Sequence, residues 1–154
     1  MTQVKVLKLE NYDLSLPLPS YETKGAAGAD IRASLAVDER ANGLKIAAGE
    51  RVLVPTGLAM EIPFGYEIQV RPRSGLSFKT KLLVVNSPGT IDCDYRGEVK
   101  VIIGNFGDDD AIIKHGERIA QIVLAPVTQA TFVEEGELST TERGAGGFGS
   151  TGTK

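Results

Sequence analysis

Residues 4–9 read Val-Lys-Val-Leu-Lys-Leu, an alternation that predicts a first β-strand. Residues 11–23 predict a loop, because Pro17 and Pro19 block regular helix. Residues 44–62 predict two strands around Pro55-Thr56-Gly57. A turn at Glu61-Ile62-Pro63-Phe64-Gly65 then leads to a strand over residues 66–70. Two further apolar runs, residues 82–85 and residues 99–103, flank a polar stretch and predict a hairpin, with Pro88-Gly89 as its bend. No segment sustains a 3.6-residue period, and the one helix candidate is short, residues 74–79. Many short strands between Gly/Pro turns predict an all-β, single-domain, jelly-roll-like sandwich or barrel.

Two stretches depart from simple alternation. In residues 118–127, Ile119, Val123 and Ala125 fall on one side of an extended chain, and Ala120, Ile122 and Leu124 on the other. A strand apolar on both faces needs cover on both, which predicts that a second copy covers one of them. Beyond Val133 the pattern collapses, and residues 143–152 hold five of the chain's 18 glycines. The chain thus divides into a β domain, residues 1–141, and a flexible glycine-rich arm, residues 142–154. The arm reads either as a disordered tail or as a closing segment, with Arg143 as a cation and Phe148 as a stacking ring. A weak echo relates Ile46-Ala-Ala-Gly49-Glu50-Arg51 to Ile113-Lys-His-Gly116-Glu117-Arg118, two strand-linking turns.

Composition narrows the function. The chain has 154 residues, 42% hydrophobic and 24% charged, as expected for one soluble domain. A net charge of -3 gives no general attraction for nucleic acid polymers or anionic membranes. The single cysteine, Cys93, excludes an intrachain disulfide, and a single histidine, His115, excludes a His/Cys-rich zinc site. No signal-like or membrane-length apolar run is present, which predicts a cytoplasmic protein.

The candidate chemistry lies in Asn86-Ser-Pro-Gly-Thr-Ile-Asp-Cys-Asp-Tyr-Arg-Gly-Glu98. If the backbone is extended, Asp92 and Asp94 point to opposite faces, so one of them can look into a cleft. A solvated acidic loop is the simpler alternative. Arg71-Pro72-Arg73-Ser74-Gly75 opens the short helix and offers cations, a hydroxyl and free N–H groups to an anion, or else is a capped turn. Asp30 reads as a turn-closing acid. Gln121, Arg143, Ser150 and Thr151 add donors, and Asp92 adds a carboxylate able to take a proton from water.

Five blocks occur in a particular order: Ala27-Gly28-Ala29-Asp30-Ile31, Pro72-Arg73-Ser74-Gly75-Leu76, Gly89-Thr90-Ile91-Asp92-Cys93-Asp94-Tyr95-Arg96-Gly97-Glu98, Gly116-Glu117-Arg118-Ile119-Ala120-Gln121, and Arg143-Gly144-Ala145-Gly146-Gly147-Phe148-Gly149-Ser150. Together they resemble the homotrimeric deoxyuridine triphosphatases, or dUTP diphosphatases. The resemblance implies hydrolysis of dUTP to dUMP and pyrophosphate, limiting uracil in DNA and supplying dUMP for dTMP synthesis. Asp92 would be the general base. Asn86 and the hairpin backbone at Gly89, Thr90 and Ile91 would read uracil and exclude a 5-methyl group. Tyr95 would pack under the deoxyribose, with Lys100 also at the nucleotide. Arg73, Ser74, Gly75 and Gln121 would serve the phosphates, and Asp30 would support them. Phe148 would stack on uracil, while Arg143, Gly149 and Ser150 complete the enclosure. Mg²⁺ would be held mainly by phosphates and water, without a protein metal cage, and each site would draw on three chains.

Three other readings stand beside this one: a dCTP deaminase of the same fold, a dUTP-responsive regulatory protein, and a β module without a ligand.

Overall fold

The computed structural model describes residues 2–148 and 150. In chain order its elements are β1 (Lys5–Lys8), β2 (Ala29–Arg32), β3 (Leu44–Ile46), β4 (Arg51–Glu61), β5 (Tyr66–Arg71), α1 (Ser74–Lys79), β6 (Leu82–Val84), β7 (Gly89–Ile91), β8 (Glu98–Asn105), β9 (Ala111–Ile113) and β10 (Arg118–Pro126). One sheet has the order β1-β4-β8-β6 and the other β2-β10-β5-β7, while β3 and β9 pair separately. Val54, Val99, Val101 and Ile103 from the first sheet meet Ile31, Ile68, Val70 and Ile122 from the second in one buried cluster. Burying each such side chain contributes roughly 1.5–3 kcal/mol. The architecture is the expected β-sandwich of jelly-roll type, with the short helix over residues 74–79. Among the described residues no helix is long and apolar enough to cross a membrane.

Pro55-Thr56-Gly57 does not separate two strands. The break falls between β3 and β4, and β4 runs 11 residues through the proline. Pairing with β8 jumps from Pro55↔Lys100 to Ala59↔Glu98, a bulge at which a strand accommodates Pro and a left-handed Gly. Gly57 has φ +66°, and its N–H donates to the Glu98 carboxylate at 2.8 Å. The buried Thr56 hydroxyl donates to the Val99 carbonyl at 2.5 Å.

The apolar runs of the expected hairpin do pair, with Leu82 opposite Asn105 and Val84 opposite Ile103. Their connection is more than a loop, because β7 crosses to the other sheet and pairs with β5, Thr90 opposite Gln69. Gly89 is not in the left-handed region, and the bend is made at a cis Ser87–Pro88 peptide. Gly89 instead makes room: a β-carbon there would lie 3.0 Å from the Asn86 amide nitrogen.

In β10 a register shift between Arg118 and Ala120 brings both Ile119 and Ala120 inside, so Ile119 does not share an outer face with Val123 and Ala125. Val123 and Ala125 remain half-buried. Both echo segments are turns with left-handed glycines, Gly49 at φ +76° and Gly116 at φ +75°. The strands ahead of them, β3 and β9, pair with each other.

Candidate active site

Residues 92–95 form a turn rather than an extended run, closed by the Tyr95 N–H donating to the Asp92 carbonyl at 3.2 Å. The turn sends Asp92 into a cleft of about 430 Å³, lined also by Asn86, Thr90, Ile91, Tyr95 and Lys100 over a floor that includes Leu53 and Ile102. Asp94 lines a neighbouring cleft, which Asp92 also borders, and not this one. β7 is an edge strand of its sheet. An edge strand presents a row of backbone donors and acceptors that no neighbouring strand uses. Beside it stands the Asn86 amide. The cleft therefore joins a strand edge, an aromatic ring, a carboxylate and one lysine. Lys100 lies 3.4 Å from the Glu98 carboxylate.

The second block of sequence gathers elsewhere. Asp30 accepts from Arg73 Nε at 2.9 Å through Oδ1 and from Arg118 Nη1 at 3.0 Å through Oδ2. Its side chain is only 12% exposed, so two guanidinium groups are pinned side by side by one nearly buried carboxylate. Arg73 also reaches the Arg118 carbonyl at 3.4 Å. Gln121 pairs across the sheet with both Asp30 and Arg71. Its amide donates to the Pro72 carbonyl at 3.4 Å and lies over Gly28, where a β-carbon would stand 2.5 Å from its oxygen. Gly28 thus serves a side chain rather than a close backbone approach. Ser74 opens α1 without capping it, so the exposed hydroxyl is not engaged by the helix. Arg73, Gly75, Lys79, Glu117 and Arg118 surround a cleft of about 400 Å³.

The two clusters share no lining residue. Within one chain, the carboxylate of Asp92 and the paired arginines do not face the same cleft. Arg143 and Phe148 stand apart from both. Among the described residues the arm's hydrogen bonds are local: Arg143 Nε to the Gly146 carbonyl at 2.8 Å, Ser150 N–H to the Gly147 carbonyl at 3.0 Å, and Gly144 N–H to Thr141 at 3.1 Å. Phe148 is fully exposed with φ +49°. Gly149, Thr151 and Gly152 lie outside the described residues.

Arg118 and Glu98 have roles that residue-by-residue reading passes over. Arg118 is the second cation on Asp30, and its position in Gly-Glu-Arg-Ile-Ala-Gln is the signal for it. The Glu98 carboxylate accepts from the Asn11 amide and the Gly57 N–H, each at 2.8 Å. That tie spans distant parts of the chain and leaves no local mark. Among the described residues no three His, Cys, Asp or Glu side chains gather to hold a metal.

The dUTPase family model matches residues 15–152. The deoxyuridine 5'-triphosphate nucleotidohydrolase of Brucella melitensis is 56% identical over 148 residues, covering 96% of this chain and 92% of the relative. That of Rhizobium meliloti is 58% identical over 139 residues, covering 90% and 85%. Among solved structures, Staphylococcus bacteriophage 80alpha dUTPase with dUPNHPP superposes with a TM-score of 0.84 at 27% identity, covering 99% of this chain and all of that one.

Proposed function

The chain belongs to the dUTPase family, and from that premise we propose that Asp92 activates the water that hydrolyses dUTP to dUMP and pyrophosphate. The activity itself, dUTP diphosphatase, follows from relatives named for it at high identity and coverage, which sets aside the dCTP-deaminase alternative. The observation that carries the mechanism is the position of Asp92: exposed, in the cleft with Asn86 and Tyr95, and without an ion-pair partner among the described residues. An unpaired carboxylate is free to accept a proton, whereas Asp30 has both oxygens engaged.

The steps run as follows. The Asn86 amide and the free edge of β7 hydrogen-bond uracil, and the crowding at Gly89 leaves no space for a 5-methyl group. Tyr95 lies beneath the deoxyribose and excludes a 2′-hydroxyl. Asp92 takes the proton of a water whose oxygen attacks the α-phosphorus. The bond to the α–β bridging oxygen breaks, and pyrophosphate departs with that electron pair. Fixed cations and donors from Arg73, Ser74, Gly75 and Gln121 stabilise the charge that builds on the phosphates. Mg²⁺ prefers oxygen ligands and neutralises phosphate charge. It would be carried on the triphosphate, held mainly by phosphate oxygens and water.

Because the Asp92 cleft and the Arg73 cluster share no residue, we infer that the site is completed between copies of a homotrimer. The arm, residues 142–154, would come from a further copy, with Arg143 at the γ-phosphate and Phe148 on uracil. The test is a pyrophosphate assay with dUTP, dTTP, UTP and dCTP. Release from dUTP alone supports the account. Equal release from dTTP removes the hairpin's role in excluding thymine, and equal release from UTP removes Tyr95 from sugar selection.

A further inference from the structure

Two residues after Tyr95 stands a glycine with no left-handed backbone to explain it, since Gly97 is not among the positive-φ residues. The reason is contact. A β-carbon at Gly97 would stand 2.6 Å from Tyr95 Cζ and 3.0 Å from Cε2, and would meet the phenolic oxygen as well. Carbon atoms in contact normally rest about 3.5–4.0 Å apart. The ring therefore lies directly against the Gly97 backbone. Its hydroxyl donates to the Glu98 carbonyl at 3.1 Å.

The backbone beside this shelf is held. Glu98 opens β8, and its carboxylate is tied to Asn11 and to the Gly57 N–H in the β4 bulge. Tyr95 lines the Asp92 cleft and Gly97 does not. With the backbone anchored and the ring about half exposed, a methyl group at position 97 displaces the ring from its place beside the cleft.

We propose that Gly97 is a positioning residue that sets how far Tyr95 stands into the cleft, and so the room left for the nucleotide sugar. This rests on the reading of Tyr95 as the sugar-facing ring. Gly97 acts through the ring and touches no substrate itself.

The experiment compares Gly97→Ala, Tyr95→Ala and the double variant. The readouts are steady-state kinetics with dUTP and UTP, calorimetric binding of a non-hydrolysable imido analogue of dUTP, and thermal melting. Gly97→Ala is expected to raise the dUTP KM and the analogue Kd about tenfold, a mid-range coupling for residues in contact, with melting near the parent. Added to Tyr95→Ala, the same substitution is expected to change either constant by less than about twofold, because no ring remains to be displaced. An unchanged KM in Gly97→Ala, or an equal loss on both backgrounds, overturns the proposal. If Gly97→Ala does not fold while the double variant does, the conflict is located at the ring and the proposal stands. If neither folds, it falls. Should Tyr95→Ala keep full discrimination against UTP, the sugar-facing reading fails separately, and the epistasis still reports whether Gly97 places the ring.

Discussion

Asp30 commits Oδ1 to Arg73 and Oδ2 to Arg118, while Asp92 faces its cleft exposed and without an ion-pair partner among the described residues. Under the proposed mechanism these two aspartates do different work, one fixing cations and one accepting a proton. Asp92→Asn keeps the shape and removes the base. Its kcat is expected to fall about 10³-fold, within the range for general-base catalysis, while the dUTP analogue still binds by calorimetry. Near-parental turnover would take Asp92 out of the chemistry. A third aspartate bears on stability. Asp13 accepts the Ser15 N–H at 2.8 Å through Oδ1, and its Oδ2 meets Arg40 and His115 at 3.0 Å each. The Ser15 hydrogen bonds foremost, then His115 and Arg40, hold its carboxyl down to about 2. A carboxyl depressed in the folded state stabilises fully above its unfolded value, near 3.9, and loses that contribution as pH falls toward the folded value. The stability gap between the parent and Asp13→Asn, read by urea denaturation, is therefore expected to narrow as pH falls from about 4 to 2. A gap independent of pH would contradict this.

At the level of elements, the bulge in β4 connects stability to the site. Gly57 is left-handed, and a β-carbon there would lie 2.7 Å from the Tyr12 Cα. Gly57→Ala therefore combines backbone strain with a clash against main chain, and is expected to cost about 1–3 kcal/mol or more, read as a fall in the urea midpoint. An unshifted midpoint would show that the bulge relaxes freely. The strand over residues 66–70 and the helix over residues 74–79 are legible in sequence because their apolar spacing and turn residues are local. The β4 bulge is not. Pro55 reads as a break, and what sustains the strand through it is the hydroxyl of Thr56 on Val99 and the carboxylate of Glu98, both across the sheet. The crossing of β7 is equally hidden. Gly-Thr-Ile is only three residues long, too short to show a period, and its partner β5 lies far back in the chain. The motif residues of the site are readable one by one, but their division into two clefts is not, because it depends on which strand ends share a side.

The whole molecule raises the question of how those clefts are joined. Among the described residues the arm's hydrogen bonds reach neither cluster, and exposed Phe148 lines neither cleft of its own chain. Removing residues 142–154 is expected to lower dUTP turnover at least tenfold, as loss of a closing segment that orders the substrate and excludes water does, while the sedimentation mass remains that of the proposed trimer. An unimpaired truncated enzyme would deny the arm a role. In the proposed assembly, Asp92 of one copy works on a triphosphate held by Arg73 of another. This arrangement is tested by unfolding together equal amounts of two inactive variants, Asp92→Asn and Arg73→Ala, and refolding them as mixed trimers. If each site pairs two different copies, random assembly is expected to restore about a quarter of parental dUTP turnover. If mixing restores nothing beyond the activity of the separate variants, base and cations belong to the same chain and the account is wrong.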